Sequence, residues 1–220
     1  MGMQIYRKKS DRVTWEMHFL LFAIFAVLLL MASCAHSASN TVLVLGDSLS
    51  AEYGLQRGTG WVVLLENKIK TDNINAKIVN ASISGDTTSG GKNRLPALLQ
   101  RQHPSVVVIE LGANDGLRGL PLTAAESNLS AMILVAKKAK AKVLLVGVPL
   151  PPNYGREYNS KFAAIYTKLA KSTNSALVPS LVDGFGDKPH LFQTDGLHPT
   201  ADAQALILNN VWPHIKPLLK

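Results

Sequence analysis

The sequence predicts an α/β protein, a parallel β-sheet flanked by helices. Short, nearly continuous apolar runs such as Thr41-Val-Leu-Val-Leu45 alternate with longer amphipathic stretches. Strands of that kind are the ones a parallel sheet buries on both faces. Polar turns containing glycine, at 46–50, 82–88, 112–116 and 194–200, follow these runs or lie in late loops. In a parallel sheet the turns after the strands emerge on one edge, so residues far apart in the chain converge there.

Taken in order, strands are expected over 41–45, 77–80, 105–111, 142–148 and, more weakly, 176–179, each a short apolar run bounded by polar residues. Between them the spacing predicts helices over 60–70, 89–100, 123–139 and 159–172, and a last helix over 200–219. Trp61, Val62, Leu64 and Leu65 fall at helical spacing and read as core rather than substrate contacts. Pro213 and Pro217 are expected to bend or fragment the final helix, because proline lacks the N–H that the helix needs. No internal repeat, low-complexity tract or long linker divides the chain, so one domain is expected after the amino-terminal segment, over 39–220.

That segment, residues 1–38, reads as an export signal with a short spacer. Arg7, Lys8, Lys9 and Arg12 precede 14 residues without a polar side chain at 19–32, short of the ~20 that a bilayer span requires. Cleavage after Ala35, Ser37 or Ala38 would leave a periplasmic or secreted protein. A retained amino-terminal anchor is one alternative. Another is lipidation at Cys34, since Met31-Ala32-Ser33-Cys34 resembles the lipobox of bacterial lipoproteins, with methionine where leucine is usual. With a single cysteine no disulfide can form within the chain, and stability must come from the core.

The formal charge of +8 falls to +6 without the leader. Lys137, Lys138, Lys140 and Lys142 form the densest basic cluster, at the end of a predicted helix where cations complement the dipole. No aromatic residues interleave with them, which argues against nucleic-acid binding.

Gly46-Asp47-Ser48-Leu49-Ser50 places a serine at the carboxyl end of the first strand, where ligands collect in open α/β sheets. Serine is a poor nucleophile at neutral pH and needs a base, which in turn needs a group to orient it. His198 is the best candidate base, because Asp195 lies three residues before it in a loop that holds Gly196 and Pro199. His103 precedes Pro104 at the opposite edge, while His190 and His214 have no acid so placed. Acyl transfer also requires donors for a developing oxyanion, each worth roughly 2.7–4 kcal/mol in comparable enzymes. The backbone N–H groups of Ser48 and Gly85 and the side-chain amide of Asn114 are the candidates.

Together Gly46-Asp-Ser-Leu, Gly85, Gly112-Ala-Asn114 and Asp195-Gly-Leu-His198 resemble, in order and spacing, the four sequence blocks of the SGNH (GDSL-type) hydrolases. The segments 80–87, 114–119 and 153–155 are similar to the bacterial periplasmic thioesterase, lysophospholipase and arylesterase branch of that family. The resemblance runs from about Thr41 to Trp212. It implies a flavodoxin-like three-layer sandwich of five parallel strands, with Ser48 as nucleophile, Asp195 and His198 completing the triad, and Ser48, Gly85 and Asn114 forming the oxyanion hole.

The expected activity is therefore cleavage of small-molecule carboxylic esters, thioesters or lysophospholipids through an acyl-enzyme, by a monomer needing no metal or cofactor. Leu117, Leu120, Pro121, Leu150, Pro151 and Tyr154 follow two of the strands and are expected to line an apolar groove, or else to cover the core. Three other readings stay open. The same blocks serve carbohydrate O-deacetylases, which a short polar pocket would favour. A metal-dependent hydrolase site built from His190, Asp195 and His198 is the second. A non-catalytic doubly wound binding domain is the third, although no phosphate-binding glycine motif follows the first strand.

Overall fold

A computed structural model describes residues 40–220; the expected export signal, the lipobox and Cys34 lie outside the described residues. Five strands, β1 (Asn40–Gly46), β2 (Ala76–Asn80), β3 (Val106–Glu110), β4 (Lys142–Val146) and β5 (Ala176–Val178), form one all-parallel sheet in the order β2-β1-β3-β4-β5. The chain moves one way from β1 to β2 and then crosses to the other side for β3. This puts the reversal of strand order between β1 and β3, where open α/β sheets form their ligand crevice.

Strand alternation divides the core. Val42 and Val44 of β1, with Val106, Val108, Leu144 and Val146 of its neighbours, pack on α1 (Trp61–Thr71) and the late α6 (Gln204–Ile215). Leu43 and Leu45, with Val107, Ile109, Val143 and Leu145, pack on α2 (Thr88–Gln102), α4 (Leu122–Lys138) and α5 (Arg156–Thr173). Every residue of β3 is buried, as expected for a strand covered on both faces. The result is the three-layer α/β/α sandwich expected from the sequence, with Trp61, Val62 and Leu65 in the core and Leu64, also expected there, only half-buried.

Two local details differ from expectation. The 112–116 segment, expected as a plain polar turn, starts a short helix, α3 (Ala113–Leu117). It is held from outside: the buried Asp115 carboxylate accepts the Thr88 N–H at 2.8 Å and the Thr88 hydroxyl at 2.6 Å, and Asn128 donates to that hydroxyl. The fifth helix starts at Arg156, earlier than the predicted 159, directly after a 3₁₀ turn over Pro152–Tyr154. The last helix is fragmented, as its prolines led us to expect, into 3₁₀ (Ala201–Ala203), α6 and 3₁₀ (Lys216–Leu219), with the final break just before Pro217, while Pro213 is accommodated inside α6.

Two of the clustered lysines serve the fold. Lys137 Nζ donates to the Thr173 and Asn174 carbonyls at the end of α5, and Lys142 Nζ to those of Leu218 and Lys220 at about 3 Å. Among the described residues no helix is long and apolar enough to cross a membrane.

Candidate active site

The turn after β1 is shaped from below. Glu110, at the end of β3, pairs in register with Gly46 and is fully buried. Its Oε2 accepts the Ser50 hydroxyl at 2.7 Å and the Asp47 N–H at 3.3 Å. A Cβ on Gly46 would stand 2.7 Å from both Glu110 Oε2 and Ser50 Oγ, so only glycine lets the carboxyl reach this turn. Trp61 Nε1–H donates to the Leu49 carbonyl at 3.1 Å and ties the turn to α1. Ser48 is thus presented, half-buried, from a tightly bonded loop.

Facing it is the 193–200 loop. Asp195 Oδ1 accepts the N–H groups of Leu197 at 2.8 Å and His198 at 3.0 Å, closing a local turn with Gly196 at φ +67°. The same carboxylate presents Oδ2 to His198 Nδ1 at 2.6 Å, and His198 Nε2 lies 2.9 Å from Ser48 Oγ. Burial pushes the Asp195 carboxyl up, but the two backbone N–H groups and the imidazole more than offset it and hold the group below its ordinary value. The acid therefore stays ionised at neutral pH and fixes the imidazole tautomer, with Nδ1 protonated and Nε2 free to accept the serine proton.

Donors surround the serine on its other side. Among the described residues, neither the Ser48 N–H nor the Gly85 N–H donates to an acceptor in the chain. Gly85 sits at φ +78°, a left-handed turn that other residues enter at a cost, and Arg118 braces it by donating to its carbonyl at 2.9 Å. The Asn114 side-chain Nδ2 donates to Asp47 Oδ2 at 3.0 Å, leaving its second N–H available. Ser48, Gly85, Asn114 and His198 all line one cleft of about 280 Å³.

Of the six residues expected in a groove, Leu117, Leu150 and Pro151 line this cleft, with Val148, Pro149 and Leu197. Leu120, Pro121 and Tyr154 do not. All three are exposed: Leu120 and Pro121 lie just beyond α3, and Tyr154 donates its hydroxyl to the Leu117 carbonyl at 2.8 Å. A second cavity of about 580 Å³ adjoins the first, sharing Leu49, Val148, Pro149, Leu150, Pro151 and Leu197 as a common wall.

Among the described residues no three His, Cys, Asp or Glu side chains are grouped to hold a metal, so His190, Asp195 and His198 do not form the ligand set weighed above. His103 lies in the left-handed cap after α2, at the amino-terminal edge of β3.

Some parts of the site escaped sequence reasoning. Tyr53 packs against His198 with ring centroids 4.4 Å apart and planes tilted by 39°. It follows Glu52, which adopts φ +60° and accepts the N–H groups of Gly58 and Gly60. Nothing in the residue pattern marks that contact. Glu110 did leave a signal, a carboxylate closing an otherwise apolar strand. Burial pushes it well above the carboxylate range, and the charge of Asp47 pushes the same way. Asp47 itself, also fully buried, is pushed by burial up to about 6, although the Leu49 N–H, the Asn114 amide and His198 pull it down.

An open parallel sheet that presents an activated serine beside free N–H donors defines a serine hydrolase. Comparison with known proteins narrows the class. The chain belongs to the GDSL-like Lipase/Acylhydrolase family, whose sequence model matches residues 44–206. It is 48% identical to esterase TesA of Pseudomonas aeruginosa over 183 residues, covering 83% of this chain and 91% of that one. It is 42% identical over 205 residues to thioesterase 1/protease 1/lysophospholipase L1 of Escherichia coli, covering 93% and 94%. The psychrotrophic esterase EstA from Pseudoalteromonas sp., solved in a form inhibited by monoethylphosphonate, superposes with a TM-score of 0.77 at 43% identity, covering 82% of this chain and 98% of that one.

Proposed function

We propose that this protein hydrolyses carboxylic ester and thioester bonds through a Ser48 acyl-enzyme. The observation that carries it is the unbroken series Ser48 Oγ, His198 Nε2, His198 Nδ1, Asp195 Oδ2, at 2.9 and 2.6 Å. Ser48 attacks the acyl carbonyl while His198 takes its proton. The tetrahedral oxyanion is met by the N–H groups of Ser48 and Gly85 and by the Asn114 amide. Collapse expels the alcohol or thiol, which receives the proton from the imidazolium. Water then repeats the sequence on the acyl-enzyme and releases the carboxylic acid. Nothing is oxidised or reduced, and each proton is handled by His198.

The names of the relatives, esterase and thioesterase/lysophospholipase, support the same chemistry. The largely apolar cleft favours an acyl chain over a sugar, and with it single-chain amphiphiles such as lysophospholipids as substrates. The amino-terminal segment is read as an export signal, with the enzyme acting as a monomer outside the cytoplasm.

Treatment with a fluorophosphonate should add one adduct by intact mass, mapping to Ser48; folded protein that takes up no adduct would refute the mechanism. Chain-length preference offers a second check. Leu117→Asn should lower kcat/KM for octanoyl esters about 10-fold relative to acetyl esters, since a buried chain loses roughly 1–2 kcal/mol of apolar contact. Leu120→Asn, outside the cleft, should leave the ratio alone. Equal losses on both esters for Leu117→Asn would remove it from the groove.

A further inference from the structure

Beneath the proposed oxyanion hole lies a fully buried carboxyl pair that the reaction steps above do not use. Asp47 Oδ1 accepts the Leu49 N–H at 3.1 Å and Oδ2 accepts Asn114 Nδ2 at 3.0 Å, so each oxygen has one donor. Glu110 Oε2 is engaged by Ser50 and by the Asp47 N–H, while Oε1 is buried with no partner among the described residues. Two adjacent buried carboxyls do not both ionise. The proton belongs on Glu110, and Asp47 carries the charge.

We infer that Asp47 is a positioning residue for the oxyanion hole, its carboxylate setting which end of the Asn114 amide faces the substrate. An ionised carboxylate can only accept hydrogen bonds, so it draws the NH₂ end of Asn114 toward itself. The second N–H of that same group is then left for the oxyanion. A protonated or amide side chain at position 47 can donate, which permits Asn114 to turn over and offer its carbonyl oxygen instead. An acceptor there repels the oxyanion it should stabilise. Glu110 supports this by remaining neutral and by bonding the backbone of Asp47 itself.

The charge on Asp47 is set by groups from several elements. Glu110 of β3 touches its backbone, and the fields of His198 in the 193–200 loop and Asp86 after β2 both reach it. Burial raises the Tyr166 hydroxyl of α5, and the fields of Glu110, Asp47 and Asp115 of α3 push the same way. Arg94 of α2 donates to the Gly46 carbonyl and pairs with Asp86 at 2.8 Å.

The role of Asp47 rests on the hydrolase reading above, and a double-mutant cycle separates the two. With a short uncharged ester, Asp47→Asn should lower kcat about 10–100-fold with KM little changed, and Asn114→Ala about 10²–10³-fold. The double variant should be no worse than Asn114→Ala, because Asp47 acts through that amide. Multiplying losses would overturn the inference, as a purely structural role predicts them. Should Asp47→Asn fail to fold, the acid limb of kcat decides. It should be shallower in Asn114→Ala than in the wild type, because protonating Asp47 no longer matters; equal slopes overturn the inference. Fluorophosphonate labelling of wild-type Ser48 tests the hydrolase reading independently of either result.

Discussion

Ser48→Ala is expected to lower ester turnover by about 10⁴–10⁶-fold while the protein still unfolds within about 2 °C of the wild type. The first half follows from mechanism. With Oγ gone there is no acyl-enzyme, and only the oxyanion donors and the cleft remain to assist direct attack by water. The second half follows from the contacts of Ser48. Among the described residues its hydroxyl bonds only to His198, while the turn is held by Asp47, Leu49 and Ser50 through Glu110 and Trp61. Alanine keeps the Cβ and removes none of these. Thermal unfolding and steady-state kinetics on one preparation check both halves, and a folded variant with wild-type turnover would exclude Ser48 as nucleophile.

Asp195→Asn should cost about 10³-fold in kcat, below the ~10⁴ seen where the triad acid is deeply buried. The Asp195 side chain is 37% exposed, so water shares in stabilising the imidazolium. Three donors converge on this carboxylate: two backbone N–H groups and His198 Nδ1. An asparagine can keep its oxygen on the backbone pair, which leaves its NH₂ facing the imidazole. Nδ1 must then accept, the proton moves to Nε2, and His198 can no longer take the proton of Ser48. Because the Asp195 carboxyl is held below its ordinary value, it stays ionised as pH falls through the neutral and mildly acidic range. Loss of wild-type activity across that range therefore does not come from Asp195. Losing less than about 10-fold in the variant would show that Asp195 does not orient the base.

The elements could be read from the sequence where local chemistry dictates them. The run Thr41–Leu45 could only be a strand buried on both faces, and Asp195 and His198 meet because the carboxylate caps two N–H groups of its own turn. The short helix α3 could not be read, because what stabilises it is a carboxylate bonded to Thr88, 27 residues earlier. The fate of Leu120, Pro121 and Tyr154, exposed rather than in a groove or over the core, could not be read either: their position after a strand is visible in the chain, but the packing that leaves them on the surface is not.

Thus strand and helix order, the edge on which the polar turns gather and the Asp195–His198 turn were determined by the sequence alone, since periodicity and short-range hydrogen bonds act within a few residues. Tertiary structure decided the rest. Only the pairing of β1 with β3 brings Glu110 under Gly46 and buries Asp47 against Asn114, and only the packing of the late loop sets Tyr53 against His198. The charge of a carboxyl depends on the water removed from around it and on its neighbours, and those are fixed when distant strands and loops pack together.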